Sequence, residues 1–265
     1  MRDSQRPDAG IERLRLVTED RVVLSGLHLP PAPPAGGRGA GGADLAFVVA
    51  HGFTGSTGRP AFRAICRRLS AFGGVVACDF RGHGDSGGRS TVGAREVLDL
   101  RAAVRWARDR GYRRVATVGF SMGGSVVLRH AALFRGAAGV DAVVSVSAPS
   151  RWYILDTLPM RRVHWLCETA LGRATARLMG TRIGRGWHQL PESPVELVGR
   201  IPPTPLLVVH GDRDAYFPLE HPRALIAAAG PGAELWVEPG FGHAESGATP
   251  DLVDRIAGWL AGHAV

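Results

Sequence analysis

Two kinds of hydrophobic pattern succeed one another along the chain. "ERLRLVTED" and "RVVLSGLHLP", over 12–20 and 21–30, alternate apolar with polar positions around a turn at Glu19-Asp20. That period of two predicts an exposed antiparallel hairpin. "PPAPPAGGRGAGGAD" (30–44) then breaks all periodicity, and its Pro and Gly content predicts a flexible surface connection. Beyond it the apolar residues gather into short unbroken runs: "LAFVVA" (45–50), "GVVACDF" (74–80), "VATVGF" (115–120), "AVVSVS" (142–147), "PLLVVHG" (205–211) and "AELWVEPG" (233–240). Unbroken runs of this length predict strands covered on both faces, hence central and parallel.

Between the runs, 59–72, 92–110, 121–134, 219–230 and 249–263 show helical spacing and supply the crossovers. The alternation predicts an α/β chain with a doubly wound, mostly parallel central sheet of about eight strands, counting the N-terminal hairpin. One interval is too long for a crossover. More than fifty residues separate "AVVSVS" from "PLLVVHG", with helical pieces over 159–179, and this predicts a small helical cap inserted at about 148–200. The 265 residues are read as one domain, 1–265, with that insertion.

Composition narrows the function classes. The N-terminus "MRDSQRPDAG" has no apolar run behind it, and no later stretch reaches the roughly 18 apolar residues of a spanning helix. A cytoplasmic protein without membrane insertion is expected. Cys66, Cys78 and Cys167 show no paired spacing, so reduced thiols are expected and no metal site. The net charge of +8 is carried entirely by arginine, with no lysine in the chain and no run of consecutive basic residues interleaved with aromatics. A nucleic-acid partner is therefore not expected.

Two segments fit Gly-x-Ser-x-Gly: "GDSGG" around Ser86 and "GFSMGG" around Ser121. The first is a stretch that trypsin-like serine proteases carry at their nucleophile, but that architecture is all-β and the alternation here contradicts it. A nucleophilic serine needs a sharp turn from strand straight into helix, which exposes its hydroxyl and brings helix N–H groups beside it. Ser121 stands at such a junction. Ser86 lies several residues past its strand with no helix before about Val92, so Ser121 is assigned as nucleophile. An acid and a histidine should come next, on later strand ends. "HGDRDAYFP" offers Asp212 and Asp214, and "GFGHAES" offers His243.

With these motifs in order the chain resembles the α/β-hydrolase superfamily, from "VVAHGFTGS" through "DFRGHGDSGG", "GFSMGG" and "HGDRDAYFP" to "GFGHAE". The resemblance implies Asp214 rather than Asp212 as the acid, and an oxyanion hole formed by the backbone N–H groups of Phe53 and Met122. It also implies that Asp79, His83 and Ser86 organise the backbone of the loop after a central strand. His51 is read as a structural hydrogen-bonding residue. In the cap, Trp152, Tyr153, Trp165 and Trp187 are candidates for lining an acyl or aromatic pocket, and Arg151, Arg161 and Arg162 for meeting an anionic group. Packing of the cap on itself is the competing reading.

The expectation is a cofactor-free serine hydrolase of the carboxylic-ester type, working on a small-molecule acyl substrate through an acyl-enzyme on Ser121. A thioesterase acting on acyl-coenzyme A or carrier-bound acyl groups is the alternative. A C–C bond hydrolase, a peptidase or a non-catalytic ligand-binding protein on the same fold stand further off. Epoxide hydrolases and haloalkane dehalogenases are set aside because their elbow carries Asp where this chain has Ser121.

Overall fold

The structure, a computed structural model, describes residues 10–32, 42–136, 139–185 and 190–264. Most of the expected surface connection over 30–44 and the first nine residues lie outside the described residues, as does Trp187. Eight strands form one sheet: β1 (Glu12–Val17), β2 (Val23–Leu29), β3 (Leu45–Ala50), β4 (Gly74–Cys78), β5 (Arg114–Phe120), β6 (Ala142–Val146), β7 (Leu206–Gly211) and β8 (Ala233–Glu238). Their order across the sheet is β1-β2-β4-β3-β5-β6-β7-β8. β1 pairs antiparallel with β2, and β2 antiparallel with β4; every later pairing is parallel. This is the mostly parallel sheet with an N-terminal hairpin that the patterning predicts.

Successive residues of a strand point to opposite faces, and β3 shows the effect of an unbroken apolar run. Ala46, Val48 and Ala50 face α2 (Glu96–Asp109) and α3 (Met122–Leu133), whereas Leu45, Phe47 and Val49 face α1 (Pro60–Leu69) and α9 (Pro250–His263). The helices bury stripes spaced by three and four, as in Leu252, Val253, Ile256, Ala257 and Leu260 of α9. α9 begins at Thr249, whose hydroxyl accepts the Leu252 N–H, with Pro250 at its first position.

β8 departs from the expectation for its run. It is parallel but lies at the sheet edge, and none of its residues is fully buried. Glu234 and Glu238, which flank Leu235, Trp236 and Val237, fit this place: Glu234 accepts the Trp259 Nε1–H and Glu238 takes both terminal nitrogens of Arg255, partners that α9 offers at the edge.

The interval predicted as a cap contains α4 (Leu158–Glu168), α5 (Ala170–Leu178), a short α6 (Pro194–Leu197) and a 3-10 turn, Val198–Arg200. The helical pieces expected over 159–179 are α4 and α5, which meet at Thr169. This residue is extended, with φ −100° and ψ 152°, and its hydroxyl caps α5 by accepting the Gly172 N–H at 2.9 Å. Two fastenings tie the interval to the connection between β4 and α2. Trp152 packs on Gly93, where a side chain would strike the indole at 2.5 Å, and its Nε1–H donates to the Glu192 carbonyl. Thr181–Gly184 runs along the loop after β4: Arg182 N–H donates to Gly82 O, Ser90 N–H to Arg182 O, and Gly184 N–H to Ser90 O. After β7, α7 (Glu220–Ala229) leads to β8, and the one-turn α8 (Ala244–Gly247) precedes α9.

Candidate active site

Ser121 occupies the single residue between β5 and α3, with φ 53° and ψ −118°. Such a backbone is unfavourable for a residue with a Cβ and has to be held by its surroundings. Ser121 N–H donates to Val146 O of β6, and Ser121 O accepts the Ser125 N–H that starts the helix. The flanking glycines are steric necessities. A Cβ on Gly119 would lie 2.2 Å from Gly123 O, and one on Gly123 would lie 2.4 Å from Ala50 O. Helix and strand can approach this closely only without those side chains, and the approach lifts the Ser121 hydroxyl clear of the sheet.

His243 comes after β8 and Asp214 after β7, both at carboxyl ends of strands. His243 Nε2 lies 2.9 Å from Ser121 Oγ, and Nδ1 lies 2.8 Å from Asp214 Oδ2. The other carboxylate oxygen of Asp214 accepts the backbone N–H groups of Tyr216 and Phe217 at 2.8 and 3.1 Å. Burial opposes ionisation of Asp214, but the hydrogen bonds from His243 and those two N–H groups outweigh it and hold its pKa below the ordinary carboxylate range. The same short segment fixes the imidazole plane: the Tyr216 ring stacks on His243 at 4.1 Å, and Phe217 meets it edge-on at 5.4 Å. Asp212 instead points away and accepts the Gly240 N–H at the surface.

The loop after β3 completes the surroundings. His51 is fully buried, its Nδ1 bonded to Gly52 O and its Nε2 accepting the Phe80 N–H at 3.0 Å. Burial pushes this imidazole down to about 3, so it stays neutral and keeps the lone pair that Phe80 requires. Phe53 and Met122 line the cavity beside Ser121, and their backbone N–H groups have no hydrogen-bond partner among the described residues. Met122 is the first residue of α3, so its N–H carries the positive end of the helix dipole.

A cavity of about 720 Å³ opens over these groups, and the interval between β6 and β7 forms much of its wall. Trp152 and Tyr153 line it, together with Met160, Val163 and Leu166. Trp165 does not; it lies on the outer side of α4, 42% exposed. Arg162 lines the cavity, whereas Arg151 pairs with Asp156 at the surface and Arg161 donates to Leu155 O. Sequence reasoning passed over three contributors: Tyr216, Phe217 and Glu245. Tyr216 and Phe217 come after Asp214 within the same motif, and Glu245 stands two residues after His243 in "GHAES". Among the described residues no group of three or more His, Cys, Asp or Glu is arranged to hold a metal ion, and no helix is long and apolar enough to cross a membrane.

Ser86 has a different environment. Its hydroxyl donates to Asp79 O and accepts the Ser25 N–H, and Asp79 in turn accepts the N–H groups of Thr57 and Asp85. His83 bonds Arg81 O. These residues knit the backbone of the loop, as the resemblance implied.

Comparison with known proteins agrees with this architecture. The chain is 28% identical over 255 residues to the monoacylglycerol lipase of Mycolicibacterium smegmatis, covering 82% of this chain and 88% of that one. Among solved structures, the Pyrococcus furiosus esterase Pf2001 superposes with a TM-score of 0.74 at 25% identity, over 96% of this chain and 93% of its own. Est1E of Butyrivibrio proteoclasticus, with ferulic acid bound, shares the fold with a TM-score of 0.66 at 18% identity, over 94% of this chain and 98% of its own. The sequence profile of the Alpha/beta hydrolase family matches residues 47–255, and the chain belongs to that family.

Proposed function

We propose that the chain is a serine hydrolase that cleaves carboxylic esters through an acyl-enzyme on Ser121. The observation that carries this reading is the continuous relay from Ser121 Oγ through His243 to Asp214, with heavy-atom distances of 2.9 and 2.8 Å. In the proposed reaction His243 Nε2 accepts the Ser121 proton as Oγ attacks the ester carbonyl. Asp214 holds the Nδ1–H tautomer and stabilises the imidazolium that forms. The carbonyl oxygen, now anionic, receives the N–H groups of Phe53 and Met122, each worth on the order of 3 kcal/mol in the transition state. His243 returns the proton to the departing alcohol; in the second half a water molecule, deprotonated by the same ring, attacks the acyl carbon, and His243 passes that proton to Ser121 Oγ as the acyl–Oγ bond breaks and the acid leaves.

Support for an ester over other acyl substrates comes from the monoacylglycerol lipase and esterase relatives. The cavity volume and its apolar wall suit an acyl chain. The interval 148–200 acts as a cap over the strand ends within a single domain, and no cofactor takes part. The enzyme is read as cytoplasmic. The test is a rate comparison across p-nitrophenyl esters of increasing acyl length, the matching acyl-coenzyme A thioesters, and peptides. Esters are expected to give the highest kcat/KM; a thioester preference at equal acyl length would move the assignment to a thioesterase.

A further inference from the structure

Glu245 is a carboxyl group placed inside the cavity beside the nucleophile, and the relay from Ser121 to Asp214 makes no use of it. It sits in α8, two residues after His243. Its Oε1 accepts the Gly52 N–H at 2.7 Å, which joins the loop after β3 to the loop after β8. Gly52 immediately precedes Phe53, so this bond helps to aim the Phe53 N–H. No other described residue donates a hydrogen bond to Oε2. A Cβ placed on Gly52 would lie 3.3 Å from Oε2 and 3.3 Å from Ser121 Cβ. Carboxyl and nucleophile therefore flank the bare Cα of Gly52, and only glycine leaves that space open.

Glu245 is only partly buried, so water in the open cavity can solvate Oε2; a substrate that displaces this water leaves the oxygen short of a donor unless it supplies one itself. The acyl side of a substrate is apolar and offers nothing. The alcohol side must lie near His243 Nε2, because that nitrogen returns the proton to it, and Glu245 stands on the same short loop. We propose that Glu245 is a specificity-determining residue whose Oε2 accepts a hydrogen bond from a hydroxyl on the alcohol part of the substrate. The favoured substrates are then esters of diols and polyols, not of plain alkyl alcohols. The proposal rests on the ester-hydrolase reading of the site. Burial raises the Glu245 carboxyl above its ordinary range, against the Gly52 N–H, its own backbone N–H and His243, which favour its charged form.

The test compares butanoate esters that differ only in the alcohol: propyl, 2-methoxyethyl, 2-hydroxyethyl and 1-glyceryl. All give the same butanoyl-enzyme, so kcat/KM differences arise in acylation, where the alcohol is still present. In the wild type the 2-hydroxyethyl and glyceryl esters should exceed the 2-methoxyethyl ester by about tenfold or more in kcat/KM, because only the former carry a donor. In Glu245→Gln the amide carbonyl can keep the Gly52 N–H while its NH₂ faces the cavity, and the advantage should vanish or turn toward the methoxyethyl ester. Equal kcat/KM for hydroxyethyl and methoxyethyl esters in the wild type would overturn the proposal without any variant being needed. So would an undiminished hydroxyethyl advantage in Glu245→Gln. Failure to hydrolyse any of the four esters would overturn the ester reading and this inference together, and is recognised by its independence of the alcohol.

Discussion

The two glycine-flanked serines of this chain share a three-letter pattern and almost nothing else. Around Ser86 the flanking glycines serve a folded loop: Gly84 and Gly88 have φ +44° and +70°, and a Cβ on Gly84 would lie 2.1 Å from the Asp79 carboxylate that holds the loop together. Both functions of the Ser86 hydroxyl, donor and acceptor, are consumed by Asp79 O and Ser25 N–H. The loop serves as the seat on which Thr181–Gly184 rests. Around Ser121 the glycines instead let helix α3 approach strands β3 and β5, and the hydroxyl is left facing a histidine and a cavity. Identical spacing thus yields a backbone brace in one place and a candidate nucleophile in the other. The deciding property is the element that succeeds the strand, a loop in the first case and a helix in the second.

Removing each hydroxyl should give the widest separation between the two regions. Ser121→Ala is expected to lower ester hydrolysis by roughly 10⁴-fold or more while the fold persists. Ser86→Ala should keep most of its activity and lose about 1–3 kcal/mol of stability, since the Ser25 N–H and Asp79 O are left unpaired in a buried place. Steady-state kinetics beside urea unfolding of both variants measures the contrast. A folded, inactive Ser86→Ala enzyme with an active Ser121→Ala enzyme would reverse it.

The paired acids give the next largest effect. Asp214→Asn should cost about 10³- to 10⁴-fold in kcat, because an amide can orient the imidazole in the wrong tautomer. Asp212→Asn should leave kcat close to that of the parent, as its carboxylate accepts the Gly240 N–H at the surface, away from His243. Comparable losses in the two purified variants would remove the distinction drawn between them.

Much of this was legible in the sequence because each feature has a local cause. Strand runs, crossover helices and the Ser121 junction arise from periodicity and glycine placement, and the positions of Asp214 and His243 from their place after strands. The features that stayed hidden depend on packing between distant segments. The outward position of Trp165 depends on how α4 is rotated against the sheet. The role of Glu245 depends on a contact with Gly52, which is 193 positions away. The edge position of β8 depends on strand order, although Glu234 and Glu238 hint at it. Tyr216 and Phe217 look like core residues in sequence; only the turn after Asp214 brings their N–H groups and rings to the site.

The aromatics of the cap interval are expected to respond unequally. Tyr153→Ala should shift relative rates between short and long acyl esters by several-fold, since Tyr153 lines the cavity. Trp165→Ala should leave the acyl-length profile unchanged. Trp152→Ala combines both regions, because the indole lines the cavity and packs on Gly93; its stability loss should be about 3–5 kcal/mol, to be measured before its kinetics are read. Equal profiles in all three folded variants would place the acyl chain elsewhere.

The smallest effect concerns histidines buried in the scaffold, in contrast to His243 at the cavity. His130 of α3 is fully buried, neither ring nitrogen has a hydrogen-bond partner among the described residues, and burial pushes it down to about 3. The unfolded chain protonates it near its ordinary value of about 6.5. Between those two values the unfolded state binds more protons, so its contribution is fully present above about 6.5 and is lost as pH falls toward 3. His130→Leu should therefore flatten the fall of unfolding free energy between pH 6 and 4 by up to about 1.4 kcal/mol per pH unit. Urea midpoints at pH 7, 6, 5 and 4 provide the check, and parallel curves for variant and parent would contradict it.

The central claim is that Ser121, and not Ser86, forms a covalent acyl-type adduct. A fluorophosphonate tests this directly, because it phosphonylates only a serine activated by a neighbouring base. Incubation with the probe, then intact mass and peptide mapping, should show one adduct on the peptide containing Ser121 in the wild type and in Ser86→Ala, and none in Ser121→Ala. An adduct on Ser86, or an unlabelled wild type that is folded, would contradict the account.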